Sequence, residues 1–214
     1  MKDLGNYRKS YEKSELIEDI VPQIPMKLFE MWFQEAENFG GIEEVNTMTI
    51  SSIGLDGFPK ARVVLLKQIL EEGFIFYTNY NSEKGKSILE NPKVCLSFFW
   101  PSMERQVIIK GFAEKTSSES STIYFQSRPI GSQLGAIVSA QSEVIPNRKH
   151  LESKLEKLVK LYENQPIPRP ENWGGFIVKP ISIEFWQGRA NRLHDRIRYE
   201  YEDNDSWKIT RLAP

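Results

Sequence analysis

A succession of short β-patterned segments in the middle of the chain constrains the fold more than any other feature. The segments are rich in β-branched and aromatic residues, and turn signals such as Asp56-Gly57 and Glu72-Gly73 separate them. Strands are predicted at residues 47–53, 61–69, 74–79, 94–100, 104–114, 173–186 and 206–212. Because short turns join antiparallel neighbours, the centre of the chain is predicted to be an antiparallel meander, which favours a barrel or a sandwich.

Helical patterns flank this meander. Residues 26–39 carry Leu28, Trp32, Ala36 and Phe39 at spacings of three and four, which predicts an amphipathic helix that packs on a sheet. Further helices are predicted at residues 82–91, 117–127, 132–139 and 148–164. The predicted fold class is therefore mainly β with flanking helices (α+β).

The first 25 residues form a separate region of the sequence. Residues 1–25 are polar, and Pro22 and Pro25 near their end disfavour a helix. We expect either an arm that lies across the rest of the molecule or a disordered tail. Residues 26–214 are predicted to form one domain, because a chain of 214 residues is long enough to bury a sizeable core.

Composition argues against several classes of partner. The net charge of −1 gives no sign of nucleic acid or an anionic membrane as a partner. No apolar run reaches the ~20 residues of a membrane span, and residues 1–14 lack the apolar core of a signal peptide, so a cytoplasmic location is expected. Cys95 is the one cysteine, and no Cys/His cluster has zinc-ligand spacing, so we expect no internal disulfide and no metal site.

The segment Arg62–Lys67 places a cation at each end of an apolar strand. Strand alternation puts Arg62 and Lys67 on opposite faces of that strand. Two interpretations stay open from these residues alone. The cations are either anion contacts on the two sides of a sheet or two solvated strand ends.

A second candidate anion site follows Tyr77-Thr78-Asn79. This hydroxyl-rich strand end leads through Ser82 into a predicted helix that carries Lys84. The N–H groups at a helix N-terminus favour a bound anion, and Lys84 adds positive charge. Since the chain has neither a P-loop nor a GxGxxG motif, the phosphate of a mononucleotide fits this site better than a triphosphate or a dinucleotide.

Two further clusters point to a phosphorylated substrate. Arg192, His194 and Arg196 share a face if the segment is extended, and the neighbouring arginines would favour a neutral imidazole. The alternative is a solvated basic loop. In the second cluster, Tyr124 and Arg128 lie four residues apart, and Ser132 follows four residues later. A phenol, a guanidinium and a hydroxyl on one side of a helix end would chelate a phosphate.

Taken together, an ordered set of short motifs resembles the pyridoxamine 5′-phosphate oxidase family, from about Tyr7 to Pro214. The motifs that carry the resemblance are RVVLLK (62–67), FYTN (76–79), ERQV (104–107), YFQSRP (124–129), SQLGA (132–136), QS (141–142), WGGF (173–176), EFWQG (184–188), RLHDR (192–196) and WKITRLAP (207–214). Each motif is weak by itself, but the set in this order and at these spacings is highly specific.

The resemblance implies a fold, a cofactor and a reaction. It implies an antiparallel split β-barrel that binds FMN over residues 26–214, with a C-terminal dimerisation region and a homodimer. It implies oxidation of pyridoxamine or pyridoxine 5′-phosphate to pyridoxal 5′-phosphate, with O2 as electron acceptor and H2O2 as the second product. Residues 1–25 would then act as a lid over the substrate.

The resemblance also implies roles for individual residues. For FMN it implies contacts from Arg62, Val63, Val64, Leu65, Leu66, Lys67, Tyr77, Thr78, Lys84, Gln106, Gln141, Ser142, Trp186 and Arg196. For the substrate it implies contacts from Arg8, Tyr11, Lys67, Tyr124, Arg128, Ser132, Arg192 and His194. Among these, Arg192 and His194 are the expected catalytic residues, since they would hold the pyridine ring over the flavin.

One position departs from the family pattern. The residue before Lys84 is often basic in the family and is Glu83 here. If Glu83 approached the FMN phosphate it would repel it, and the site would then depend more on Lys84, Arg62 and the helix N-terminus.

Two other functions are compatible with these motifs. The first is a flavoprotein of the same fold that acts on another substrate. The second is a carrier that binds a vitamin B6 phosphate without a flavin.

Overall fold

The structure is a computed structural model that describes residues 2–203 and 205–214. Met1, the first residue of the predicted arm, and Asn204 lie outside the described residues. The helices are α1 (Pro25–Phe39), α2 (Glu83–Glu90), α3 (Ser118–Ser127), α4 (Ile130–Val138) and α5 (Arg148–Leu161). Short 3₁₀ turns occur at Glu18–Ile20 and Ala190–Arg192.

The strands of the described residues belong to one sheet. They are β1 (Thr47–Ile53), β2 (Pro59–Leu65), β3 (Gln68–Leu70), β4 (Gly73–Asn79), β5 (Lys93–Trp100), β6 (Arg105–Lys115), β7 (Trp173–Gln187), β8 (Asp195–Glu202) and β9 (Ser206–Arg211). Their order is β2-β1-β5-β6-β7-β4-β3, while β8 pairs with β7 and β9 pairs with β8. The predicted fold class, a mainly antiparallel split β-barrel with flanking helices, is confirmed.

Most predicted elements are present, and their bounds differ from the predictions by up to three residues. The predicted strand over residues 61–69 is wrong as one element. β2 ends at Leu65, and β3 starts at Gln68 after a break in which the Lys67 N–H donates to the Ile75 carbonyl. The break allows the chain to turn along β4, with which β3 pairs.

The segment Arg192–Arg196 is not extended throughout, so the condition under which Arg192, His194 and Arg196 would share a face is not met. Asn191 and Arg192 have φ of 57° and 62°, in the left-handed region, and the strand starts only at Asp195. The strand β8 was missed because its sequence, DRIRYEYE, is mostly charged. Its alternation is nevertheless regular, since Ile197 and Tyr199 are fully buried between exposed or half-buried polar neighbours.

The chain divides into two compact units, each with its own core. Unit 1 comprises Met1–Ile50, Cys95–Gly111 and Pro180–Pro214, and unit 2 comprises Ser51–Val94 and Phe112–Lys179. In unit 1, aromatic rings form the core, with Phe29 against Phe98 at 5.0 Å and Trp32 against Phe185 at 5.2 Å between ring centroids. In unit 2, one core cluster combines Phe125, Leu134, Ile167 and Trp173.

The start of α2 positions several polar groups of unit 2. Ser82 caps this helix by accepting a hydrogen bond from the Gly85 N–H at 3.1 Å, and its own hydroxyl donates to the Asn79 carbonyl at 2.6 Å. Gly85 approaches the Tyr80 and Asn79 carbonyls so closely that a Cβ would collide with backbone. The helix N-terminus is therefore held directly against the end of β4.

None of the helices in the described part of the chain is long and apolar enough to cross a membrane.

Candidate functional site

Unit 2 contains a cavity of about 640 Å³, a size typical of ligand sites. Eleven of the predicted site residues line it: Val63, Val64, Leu65, Lys67, Tyr77, Thr78, Lys84, Tyr124, Arg128, Ser132 and Gln141. They come from β2, from the break after it, from β4 and from the helices α2, α3 and α4 with the loop after α4. Predicted site residues between Val63 and Gln141 thus line one cavity.

Lys84 forms a cationic part of the cavity lining. Its ammonium donates a hydrogen bond to the Thr78 hydroxyl at 2.5 Å, and that hydroxyl in turn donates to the Gln141 side-chain oxygen at 3.4 Å. Burial, and then repulsion by Arg62, lowers the pKa of Lys84 to about 8. A desolvated ammonium with neutral hydrogen-bond partners would be stabilised by an anion.

Arg128 supplies a second, half-buried cation in the same cavity. Its guanidinium lies 4.6 Å from the centroid of the Trp173 ring, and burial lowers its pKa. Its Nη1 atom is buried and has no hydrogen-bond partner among the described residues. An unsatisfied buried donor is costly in a folded protein, so this atom indicates a ligand oxygen or a water as its partner.

The neighbours of Arg128 fit the predicted phosphate chelate. Tyr124 stacks on Tyr77 with 3.9 Å between ring centroids and 18° between planes, which fixes the direction of both phenols. Burial raises the pKa of Tyr124, so its hydroxyl stays a neutral donor at physiological pH. Ser132 lies in the first turn of α4 and lines the same cavity. The structure therefore brings Tyr124, Arg128 and Ser132 to one cavity, while their ligand stays a prediction.

The charge of Glu83 is compensated within unit 2. Its carboxylate accepts a hydrogen bond from Arg62 at 2.5 Å and another from Lys60, and these two cations lower the pKa of Glu83. Lys60 was missed in the sequence, although β2 alternation places it on the same face as Arg62. Lys60 also pairs with Asp56 at 2.9 Å, so the two carboxylates and the two cations of this group carry no net charge, and the charge of Glu83 is neutralised within it.

Unit 1 contains a second group of predicted residues. Trp186 packs against His194 at 4.7 Å, and Tyr11 lies 5.8 Å from both rings. The Arg189 N–H donates to Nδ1 of His194 at 3.0 Å. Because Nδ1 accepts, the ring is in the tautomer whose Nε2 carries the proton and can donate. Arg8, Tyr11, Arg192 and His194 line a cavity of about 720 Å³ here.

The remaining predicted residues lie outside these two linings. Gln106 donates to the Ser97 hydroxyl at 3.2 Å, and Arg196 pairs with Glu184 at 2.8 Å, both within unit 1. Leu66 is buried, at 4% exposure, and serves the core. Ser142 directly follows Gln141 and has a φ of 75°.

Comparison with known families and relatives decides the family. Residues 34–162 match the model described as "Pyridoxamine 5'-phosphate oxidase", and residues 173–214 match "Pyridoxine 5'-phosphate oxidase C-terminal dimerisation region". The chain belongs to the pyridoxamine 5′-phosphate oxidase family. A relative from Flavobacterium johnsoniae named pyridoxine/pyridoxamine 5′-phosphate oxidase is 67% identical over 213 residues, covering 100% of both chains. A relative of the same name from Leptospira interrogans is 49% identical over 99% of this chain and 98% of its own.

Two solved structures share the fold of this chain. The crystal structure of PhzG from Burkholderia lata 383, in complex with tetrahydrophenazine-1-carboxylic acid, superposes with a TM-score of 0.86. It is 28% identical and covers 93% of this chain and 98% of its own. A pyridoxamine 5′-phosphate oxidase-related, FMN-binding protein from Nostoc punctiforme superposes with a TM-score of 0.72 at 15% identity, covering 91% and 100% of the two chains.

The cavity of unit 2 fits FMN, the cofactor of this family. Lys84 and Thr78 supply a cation and a hydroxyl beside a helix N-terminus for a phosphate. The orphaned Nη1 of Arg128 is a further donor for an anion in the same cavity. The residues present therefore match a mononucleotide together with a further phosphorylated ligand.

We predict that FMN affinity falls as the pH rises from 8 to 9. Lys84 has a pKa of about 8 in the free protein, and a bound phosphate would raise it. Below pH 8 the ammonium is charged in both states, so this group gives no pH dependence. Above pH 8 the free protein must take up a proton on binding, and the dissociation constant rises by up to about tenfold per pH unit.

Fluorescence quenching of FMN by the flavin-stripped protein measures this constant. The variant Lys84→Met is the control, since it should bind more weakly and lack this rise between pH 8 and pH 9. Equal pH dependence in the two proteins would contradict the assignment to Lys84.

We also predict that Lys60 protects the FMN site from Glu83. Lys60→Met leaves Glu83 with one cation and makes the local charge more negative, so FMN affinity should fall by about threefold to tenfold at low salt. The double variant Lys60→Met/Glu83→Gln restores the charge balance, and its affinity should return to within about twofold of the original. The same FMN titration, repeated at high salt to screen the effect, measures both. An affinity that Lys60→Met leaves unchanged would disprove the compensation.

Proposed function

We propose that this chain is an FMN-dependent oxidase that converts pyridoxamine 5′-phosphate and pyridoxine 5′-phosphate to pyridoxal 5′-phosphate. The observation that carries the proposal is the presence of two desolvated cations, Lys84 and Arg128, in one cavity. Lys84 suits the phosphate of the flavin, and Arg128 suits the phosphate of the substrate. The names of relatives 48–67% identical over the full length support the same reaction.

The residues proposed to hold FMN divide by chemistry. Lys84, Thr78 and the N-terminus of α2 would bind its phosphate, with Arg62 held nearby by Glu83. Strand β2 and the break after it would contact the rest of the cofactor through Val63, Val64 and Leu65. When bound, FMN supplies a two-electron acceptor for the hydride that leaves the substrate carbon. The O2 that reoxidises it, and the H2O2 formed, belong to this proposal.

Lys67, Tyr124, Arg128 and Ser132 would hold the substrate phosphate. A phosphate on Nη1 of Arg128 would satisfy the orphaned donor, and the stacked Tyr124 phenol is already oriented. Such contacts would not touch the reacting carbon itself. Their role is to fix the pyridine ring in a reactive position, which lowers the entropic part of the barrier.

Arg192 and His194 are the proposed catalytic residues. The left-handed backbone at Arg192 and the hydrogen bond to Nδ1 of His194 set the direction of both side chains. His194 would orient the ring by donating from Nε2, and Arg192 would cover the reacting carbon. With the amine substrate, the imine product would then hydrolyse in water. Arg8 and Tyr11 of residues 1–25 would act as a lid over the bound substrate.

The proposal includes an assembly and a location. The match of residues 173–214 to a dimerisation region supports a homodimer. The proposal also includes the cytoplasmic location that the sequence predicts.

A flavoprotein with another substrate is the second candidate. The observation in its favour is the close superposition of PhzG from Burkholderia lata, which was crystallised with a phenazine carboxylic acid. The orphaned Nη1 of Arg128 and the Tyr124 phenol would bind a carboxylate as well as a phosphate, so substrate profiling separates this candidate from the first. A flavin-free carrier is the third candidate, and a protein that cannot be loaded with FMN would support it.

Two substitutions should separate substrate binding from catalysis. Arg128→Leu should raise KM for pyridoxamine 5′-phosphate by about 100-fold, because a charge-assisted contact to the phosphate is lost. Arg192→Leu should instead lower kcat by about 100-fold, because the substrate ring loses its position. Both should keep FMN affinity within about threefold, and Arg148→Leu, at an exposed position on α5, is the control.

Oxygen uptake, H2O2 release and aldehyde formation, measured together, give these constants and test the 1:1:1 stoichiometry that the reaction requires. Near-normal turnover in Arg192→Leu would rule out its assigned role. An unchanged KM in Arg128→Leu would refute the phosphate site. Turnover of another reductant, with none of pyridoxamine 5′-phosphate, would favour the second candidate.

A further inference from the structure

Glu104 is a buried carboxylate to which the reaction proposed above gives no role. It lies in unit 1 directly before β6, and it is only 2% exposed. Its Oε2 accepts hydrogen bonds from two consecutive backbone amides of the N-terminal segment, those of Glu12 at 2.9 Å and Lys13 at 3.1 Å. Its Oε1 lies 3.3 Å from the ammonium of Lys9. A carboxylate this deeply buried is stable only with such partners, so these contacts favour residues 9–13 in this position.

The backbone of Glu104 is held as firmly as its side chain. Its φ is 58°, in the left-handed region that a residue with a Cβ rarely adopts. Its carbonyl accepts a hydrogen bond from the Gly188 N–H at 2.7 Å and another from the Gln187 side chain at 3.3 Å. Strained backbone persists where the surroundings over-determine it, and such positions concentrate at functional sites.

Glu104 thus connects two segments that carry proposed site residues. Its side-chain carboxylate binds residues 9–13, which include Tyr11. Its backbone carbonyl accepts hydrogen bonds from Gln187 and Gly188, which follow Trp186. The Tyr11 ring lies against Gly188 so closely that a Cβ there would come within 2.8 Å of it. Tyr11 also meets Trp186 edge-on and His194 at a tilt, with 5.8 Å between centroids in both pairs.

We propose that Glu104 is a positioning residue that fixes Tyr11 against Trp186 and His194 and thereby sets substrate affinity. The proposal rests on the proposed function, because it assumes that Tyr11 and His194 meet the substrate. Glu104 acts through the backbone amides of Glu12 and Lys13. It stays outside the FMN lining, so its loss should change KM without changing cofactor binding.

A matched set of variants tests this role in the FMN-loaded full-length protein. Glu104→Gly removes the side chain and suits the left-handed backbone, so the turn should persist. Glu104→Gln loses the charge but keeps a carbonyl that accepts from both amides, which makes it the conservative rescue. Glu104→Asp, which also tolerates this backbone, is one methylene too short to reach the amides and replaces Glu104→Gly if that variant fails to fold. Arg148→Leu, at an exposed position on α5 of unit 2, is a further control.

Hydrogen exchange followed by mass spectrometry measures whether Glu104 protects the amides of Glu12 and Lys13. In Glu104→Gly, peptides that contain the amides of Glu12 and Lys13 should exchange at least about tenfold faster, because these amides lose their acceptor. Peptides from β6 and β7 should be unchanged. In Glu104→Gln and Arg148→Leu, the exchange of the N-terminal peptides should stay within about threefold of the original.

Steady-state kinetics and FMN titration complete the test. KM for pyridoxamine 5′-phosphate should rise about tenfold in Glu104→Gly and stay near the original in Glu104→Gln, with FMN affinity unchanged in both. Unchanged exchange at residues 12 and 13 in Glu104→Gly would overturn the proposal, as would faster exchange with an unchanged KM. Failure of the proposed function is distinguishable, because the unsubstituted protein would then show the protected amides but no turnover of this substrate.

Discussion

The desolvation of two cations in one cavity is the constraint on which the rest of the site depends. Lys84 and Arg128 are both partly removed from water, and burial lowers the pKa of each. Their neighbours are hydroxyls, amides and aromatic rings, which leave their charge uncompensated. Because a buried charge without a counter-ion destabilises a fold, the protein gains stability when anions enter this cavity. A phosphorylated cofactor and a phosphorylated substrate would supply them.

The fold brings these cations together through short and rigid elements. Lys84 stands at the start of α2, which Ser82 caps and which lies directly against the end of β4. Arg128 follows the end of α3 and lies over Trp173, the first residue of β7. Since strands and capped helices fix both positions, little reorganisation is needed when ligands bind. Surrounding charge is balanced locally, as the pairing of Glu83 with Lys60 and Arg62 illustrates.

Periodicity predicted most elements, and the ordered motifs predicted the family. The patterns could not give features that depend on tertiary partners. β8 was missed because its charged residues conceal a regular alternation, and the left-handed backbone at Arg192 has no sequence signal in a residue other than glycine. The motif alone left open whether Glu83 would repel a phosphate, because its partner Lys60 lies 23 residues away and could be found only by following the face of β2. Glu104 was seen as part of a motif, and only the structure gives it partners 91 and 92 residues away.

An anaerobic absorbance titration tests the central claim most directly. The FMN-loaded protein is mixed with pyridoxamine 5′-phosphate without oxygen, and the flavin band is followed before and after air is admitted. The account predicts that the band bleaches with formation of one aldehyde per flavin and returns in air with release of H2O2. A flavin that binds but stays oxidised in the presence of this substrate would contradict the proposed reaction, while the fold and the FMN cofactor would still hold.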